Sequence, residues 1–191
     1  MKIKAVFIAS SLIILIAGCA GTINVEQYPF GSPIHHVNNG IRFLDLGLND
    51  DAFREFASAL GDNKKYSPGY AGKGVYWSIV GVPDVALGYI QLSIKYAADS
   101  REEILAHKSS MRVQVSLEEG DWFDTVKNSF SEIEKRGGAD SQTYYWMGMA
   151  LLKTGDTPTA VEYFKKATEL TGRYKKLSEQ QLKEIDLDSK S

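Results

Sequence analysis

Apolar residues recur at helical spacing along most of the chain, most regularly within residues 144–167. Tyr144 and Leu151 fall on one helical face, and a second apolar stripe begins at Ala160. Residues 155–158, Gly-Asp-Thr-Pro, separate the two stripes, and a proline suits the first turn of a helix. The pattern therefore predicts a pair of short helices joined by a turn.

The same order of small and large residues recurs earlier in the chain. When Ala160 is aligned with Ala86 and Ala52, glycines fall five and twelve residues before each alanine, and a large apolar residue falls four residues after it. The glycines are Gly155, Gly81, Gly47, Gly148, Gly74 and Gly40, and the large residues are Phe164, Ile90 and Phe56. Ala52 and Ala86 are 34 residues apart. A fixed period of this kind predicts an array of structural repeats.

This period and this order of small and large residues resemble the tetratricopeptide repeat (TPR) family. The resemblance implies an all-α fold, a short solenoid of helical hairpins. We expect repeats at about residues 34–61, 67–98 and 141–171, with a degenerate copy at about 100–136. The degenerate copy has Gln114 where a glycine is expected, and residues 111–117 alternate as a strand would. A helix is favoured there, because an isolated strand in a helical array has no partner.

The last 20 residues, 172–191, predict a capping helix and a tail. Leu177, Leu182 and Ile185 follow helical spacing, and Ser178 is the expected N-cap. Stacked repeats leave an apolar end exposed, so a terminal helix with a polar outer face would cover that end.

The chain begins with a pattern that predicts export. Lys2 and Lys4 precede an apolar run that is too short to cross a membrane as a stable helix, so residues 1–18 are predicted to be a signal peptide. Residues 15–19, LIAGC, resemble the bacterial lipobox and contain the single cysteine, Cys19. The resemblance implies cleavage before Cys19 and attachment of acyl chains such as palmitate. A secreted protein with an accidental cysteine and an uncleaved anchor remain alternatives.

The segment after the cleavage point predicts where the protein resides. In Gram-negative lipoproteins an aspartate after the lipidated cysteine usually marks retention in the inner membrane, so the resemblance together with Ala20 implies the outer membrane, facing the periplasm. Residues 19–37 hold two prolines and two glycines without a sustained period, so they predict a lipidated cysteine followed by a tether.

Charge and cysteine content narrow the function classes. The formal net charge of −2, without a stripe of Lys and Arg, offers little to neutralise phosphates, so nucleic acid is not an expected partner. Because the only cysteine lies at the lipobox, no disulfide can form within one chain. The fold must therefore rest on its apolar core.

No pattern in the chain carries recognisable catalytic chemistry. Residues 69–74, GYAGKG, lack the spacing of a phosphate-binding loop. His35 and His36 are adjacent and have no clustered cysteine or third histidine, so a metal site is not expected. Glu103 and His107 are four residues apart, a spacing more typical of a surface contact than of an acid–base pair. We therefore expect a non-enzymatic protein with no catalytic residues, cofactor or metal.

In the TPR family, the first helices of successive repeats line a concave groove, and the resemblance carries this role to eight positions of this chain. These positions are Ile41, Leu44, Val75, Ile79, Tyr145, Met149, Leu152 and Lys153. Such an apolar face indicates a partner site, unless the tether or the terminal helix fills the groove.

The expected function is that of a membrane-anchored, protein-binding adaptor. It would bind a protein or an extended peptide as an accessory or assembly factor of a cell-envelope complex, such as a secretion, pilus or outer-membrane system. The alternative is a carrier of an apolar small ligand or an enzyme with an unrecognised site. The pattern leaves the partner's identity open.

Overall fold

The structure, a computed structural model, describes residues 29–188, and all regular secondary structure within that range is α-helical. The helices are α1 (Pro33–Asp45), α2 (Asn49–Asp62), α3 (Ser67–Val80), α4 (Pro83–Tyr96), α5 (Ser100–Leu117), α6 (Trp122–Lys135), α7 (Ser141–Lys153), α8 (Thr157–Glu169) and α9 (Arg173–Asp188). The predicted all-α class is confirmed. The predicted signal peptide and the predicted lipidation site, Cys19, lie outside the described residues.

Consecutive helices pack as four hairpins, α1 with α2, α3 with α4, α5 with α6 and α7 with α8. Each hairpin contacts the next one, and α9 packs against both helices of the last hairpin. The architecture is a short TPR-like solenoid with a C-terminal capping helix. Within residues 29–188, no helix combines the length and the hydropathy that crossing a membrane requires.

Glycines let the two helices of a hairpin approach closely. A Cβ atom at Gly40 would lie 2.5 Å from Cε1 of Phe56, and one at Gly148 would lie 2.7 Å from Cε1 of Phe164. Carbon atoms pack best about 3.5–4.0 Å apart, so neither position has room for a side chain. Phe56 therefore packs on Gly40, and Phe164 packs on Gly148. In each pair the large residue lies four places after the aligned alanine and the glycine lies twelve places before it.

The degenerate repeat differs from the others by a longer first helix. α5 contains 18 residues and begins where the Asp99 carboxylate accepts a hydrogen bond from the Glu102 N–H at 2.9 Å. The residues with strand-like alternation are helical, and Gln114 is buried at the glycine position with an Oε1 that has no hydrogen-bond partner. The Gln114 side chain, which is larger than the expected glycine, is thus buried in the helix interface.

Two helix starts bear on the expected boundaries. α1 begins at Pro33, next to the expected start of the first repeat at about residue 34 and within the predicted tether, because Ser32 accepts a hydrogen bond from the His35 N–H and Pro33 suits the first turn. α9 begins at Arg173, so Ser178 is not its N-cap but lies buried in the interior of the helix. Gly172, with φ +117°, makes the turn that starts α9 early.

Candidate functional site

The first helix of each repeat forms the concave side of the solenoid. The backbones of α1 and α3, of α3 and α5, and of α5 and α7 pack closely, whereas those of α2, α4, α6 and α8 do not pack closely on one another. Helices that touch on one side and separate on the other form a curved array, with the touching helices inside. A groove of about 190 Å³ lies on this inner side, between α1, α3, α5 and the first residues of α7 and α9.

The wall formed by α1 and α3 is apolar. It consists of Val37, Ile41, Leu44, Phe56, Pro68, Ala71 and Val75. Phe56 reaches the groove from α2 because Gly40 and Gly72 lack side chains that would block its ring. Leu44 packs beside the buried Val75, which joins this wall to the core of the second repeat. The apolar wall is therefore held rigidly by the packing beneath it.

The opposite wall, formed by α5, α7 and α9, is polar and carries a cation. It includes Ser109, Arg112, Gln142 and Tyr174. The guanidinium carbon of Arg112 lies 5.9 Å from the centre of the Trp146 ring, within the range of a cation–π contact. No ion pair joins Arg112 to a carboxylate of residues 29–188. Its charge is therefore available to an anionic or carbonyl group entering the groove.

An ion pair closes one end of the groove. Arg173, the first residue of α9, contacts the carboxylate of Asp45, the last residue of α1. α1 and α9 share no backbone packing, so the pair crosses the groove by side chains alone. Both side chains remain partly exposed, which makes this an interaction that a bound partner could displace.

Three of the eight predicted groove residues line the groove. They are Ile41, Leu44 and Val75, all on the apolar wall. Ile79 is exposed at the end of α3 and is not part of the lining. The contribution of these four residues to partner binding stays a prediction.

Tyr145, Met149 and Leu152, on α7, belong to the core that α7 shares with α8 and α9. Tyr145 is buried, and Met149 and Leu152 pack against the same cluster. The Tyr145 ring lies 5.3 Å from that of Tyr174 on α9, and burial raises the pKa of the Tyr145 phenol. α9 thus covers the Tyr145 ring, and the contribution of these three residues to partner binding stays a prediction.

Lys153, the last of the predicted groove residues, ends α7 and pairs with Glu118 at the end of α5. It is not part of the groove lining. Its charge is engaged with a neighbouring repeat, which leaves Arg112 as the cation on the polar wall that has no carboxylate partner within the described residues.

The other polar pairs found in the sequence make structural contacts. His36 Nδ1 lies 2.6 Å from the Glu55 carboxylate on the next helix. Glu103 pairs with Arg136 rather than with His107, whose pKa is lowered chiefly by burial. Within residues 29–188, no three His, Cys, Asp or Glu side chains come together in a way that could hold a metal ion.

The residues of the polar wall were not anticipated from the sequence. Arg112 lies on the same face of α5 as Leu105 and Ser109, at spacings of four and three residues. This face could have been recognised once α5 was assigned as a helix. Arg173 and Tyr174 enter the groove from the capping helix, and no repeat register predicts them.

Fold and site together define a short helical-repeat protein with a groove on its concave side. No family model matches the chain, and no curated protein matches it. Among solved structures, the chain is similar to PilF of Pseudomonas aeruginosa, with 14% sequence identity over 83% of this chain and 86% of that chain. The TM-score of 0.35 is too low for this similarity to bear on function.

Proposed function

We propose that the protein is a lipid-anchored, non-enzymatic adaptor of the bacterial cell envelope that binds an extended segment of a partner protein in its groove. In this role it acts as an accessory or assembly factor of a secretion, pilus or outer-membrane complex. The observation that carries the proposal is the two-sided groove, in which an apolar wall faces Arg112. A peptide meets both walls, with an apolar side chain on one and a backbone carbonyl or carboxylate on the other.

The volume of the groove favours a peptide over a small ligand. Pockets for small molecules usually measure about 300–1,000 Å³, whereas this groove measures about 190 Å³. A volume of this size suits one or two side chains of a longer segment that continues outside the groove. By contrast, the ion pair between Asp45 and Arg173 narrows one end of the groove. This feature favours the alternative function, in which a small apolar ligand is held in the groove beneath the ion pair.

The anchoring part of the proposal rests on residues 15–19, LIAGC. Acyl chains on Cys19 give durable membrane attachment, because each buried CH₂ contributes about 0.8 kcal/mol. We expect the native protein to fractionate with outer membranes and the Cys19→Ala variant to lose its acyl mass and its membrane attachment. A Cys19→Ala protein that still fractionates with membranes through its own chain would contradict lipid anchoring.

The binding part is tested by chemical crosslinking and affinity capture from membranes, with two matched substitutions. Ile41, on the groove wall, is 41% exposed, and Ile94, on α4 and outside the groove, is 40% exposed. Fully burying an isoleucine side chain contributes about 1.5–3 kcal/mol, and a partner would bury the part of Ile41 that is still exposed, worth about 0.6–1.2 kcal/mol, so Ile41→Glu is expected to reduce capture by at least about threefold. Ile94→Glu makes the same chemical change at the same exposure and is expected to leave capture unchanged.

Equal capture by the two variants would remove the groove from the binding site. If no protein is captured and an apolar molecule co-purifies with the wild type but not with Ile41→Glu, the small-ligand alternative replaces the adaptor function.

A further inference from the structure

The turns within the first two repeats carry apolar side chains that are exposed at one edge of the solenoid. This apolar edge consists of the exposed Leu46, Leu48, Ile79, Val80 and Val85 together with the half-buried Val82. Leu46 is 68% exposed, Leu48 45%, Ile79 44% and Val80 48%. None of the six lines the groove.

Contacts between the two repeats place both turns at the same edge. The Phe53 ring, in the first turns of α2, lies 4.6 Å from the Tyr76 ring near the end of α3. The Tyr76 hydroxyl donates a hydrogen bond to Asp50, at the start of α2, at 3.2 Å. The start of α2 and the end of α3 are thus adjacent, and the apolar residues beside them form one surface.

The fourth repeat provides an internal comparison, because its turn has the same backbone. Gly47, Gly81 and Gly155 occupy equivalent positions with φ of 73°, 80° and 85°. The residue before the glycine is Leu46 or Val80 in the first two repeats and Thr154 in the fourth. The fourth repeat therefore makes the same turn with a polar residue at a position where the first two expose an apolar one.

The residue after the glycine shows the difference more sharply, because it is the N-cap of the second helix. Asp156 accepts a hydrogen bond from the Thr159 N–H and so caps α8. Leu48 and Val82 hold the same place before α2 and α4 and provide no side-chain cap. Leu48 has φ −85° and ψ 66°, almost the same as the −83° and 65° of Asp156, so a capping side chain would fit there. The apolar residues therefore replace a stabilising interaction.

The charged residues around the apolar edge indicate which kind of molecule would bind there. Residues 45–51 and 79–85 contain four aspartates and no lysine or arginine. Asp45 and Asp51 are paired with arginines, whereas Asp84 has no ion-pair partner in the described residues and Asp50 accepts only the Tyr76 hydroxyl. The rim is negative, which opposes contact with an anionic lipid surface or with the same edge of a second copy.

We propose that the apolar edge is a second docking surface, for a partner-protein segment in which apolar side chains are flanked by lysine or arginine. This surface goes beyond the groove, since the two share no residue, and it gives the protein two independent contacts. Apolar anchors would cover Leu46, Leu48 and Val80, while the basic flanks would meet Asp50 and Asp84.

The test places a photo-crosslinking amino acid at Val85 of the full-length protein in the cells that make it, with mass spectrometry of the crosslinked peptides. The expected product is a partner peptide with apolar residues next to lysine or arginine. The same probe at Ile94, equally exposed on the same helix, should not give this product.

A turn variant, Leu46→Thr/Leu48→Asn/Val80→Thr/Val82→Asn, separates docking from folding, since asparagine caps helices well and adds no charge. The crosslink should fall at least fivefold, while the melting temperature stays the same or rises by about 2–4 °C for each new cap. Asp84→Asn, which leaves the apolar residues in place, should reduce the crosslink about twofold or more. Ile41→Glu should leave it unchanged.

Four results would overturn the proposal: crosslinks only to a second copy, crosslinks only to lipid, crosslinks to a peptide without basic residues, or no product at all. A turn variant that melts below the wild type would also overturn it, because the apolar side chains would then be part of the fold.

Discussion

Glycines lie where helices pack against a large apolar side chain, and an alanine at Gly148 tests one of these contacts directly. Alanine favours a helix over glycine by about 1 kcal/mol, but its Cβ would lie 2.7 Å from Cε1 of Phe164. That distance is about 1 Å shorter than the best separation of two carbon atoms, and overpacking of this kind costs about 1–3 kcal/mol. In Gly148→Ala, overpacking is therefore expected to cancel most or all of the stability that alanine's helix propensity adds. If the overpacking cost is near the upper end of its range, about 3 kcal/mol, the variant is less stable than the wild type.

Gly88, in the interior of α4, provides the matched control because a Cβ there would meet no atom within 4 Å. Gly88→Ala is expected to stabilise the protein by about 0.5–1 kcal/mol. The two alanine variants should thus differ by the overpacking energy alone, about 1–3 kcal/mol, or roughly 2–12 °C in melting temperature. Thermal unfolding followed by circular dichroism measures the difference.

A double-mutant cycle tests the identity of the contact. Phe164→Leu removes the ring that the new Cβ would meet, so Gly148→Ala should be less harmful in that background, with a coupling of about 0.5–3 kcal/mol. Gly148→Leu, which is larger still, should unfold the protein. If Gly148→Ala and Gly88→Ala melt at the same temperature, the packing argument for the repeat register is refuted.

Three further predictions follow from individual contacts. Tyr145→Ala should lower the free energy of unfolding by roughly 3 kcal/mol, because the ring is buried in the core. Lys153→Ala should change the free energy of unfolding by less than about 1 kcal/mol. Urea unfolding at pH 7 compares the two variants. Burial acts to raise the pKa of Asp140, but the Lys108 ammonium at 2.7 Å and the Thr143 N–H hold that pKa below its ordinary value. The ionised Asp140 carboxylate contributes its full stability above about pH 4, and this contribution is lost as the pH falls further. The melting temperature of Asp140→Asn should therefore lie below that of the wild type at pH 7 and approach it at pH 3. A difference that persists at pH 3 would contradict this. Arg173→Ala should lengthen and broaden the distance between spin labels at Arg42 and Lys176, since α1 and α9 share no other packing, and an unchanged distribution would show that the ion pair does not hold the groove closed.

The repeat architecture was predictable because the spacing of small and large residues reflects a physical contact. The alignment that placed Gly40, Gly74 and Gly148 together also placed Phe56, Ile90 and Phe164 together, and each glycine lies against its large residue in the structure. A contact that recurs at a fixed separation leaves a fixed pattern in the chain. The hairpin solenoid follows from that pattern without any match to a family model.

The groove was less predictable, because its walls depend on which face of each helix another helix covers. α7 carries large apolar or aromatic residues on most of its circumference, so its sequence does not distinguish a core face from a groove face. The capping helix decides this by covering Tyr145, and no periodicity in α7 encodes where α9 packs. For the same reason Arg173 and Tyr174 became groove residues only when the capping helix was in place.

We propose that a partner segment lies in the groove between α1, α3 and α5. Hydrogen–deuterium exchange of the protein, alone and in complex with the partner recovered by crosslinking, tests where that segment lies. We expect slower exchange in the complex along α1 and α3, including the helix turns that carry Ile41, Leu44 and Val75, with little change in α6 and α8 on the convex side. Slower exchange confined to α6 and α8, with α1 and α3 unchanged, would contradict it.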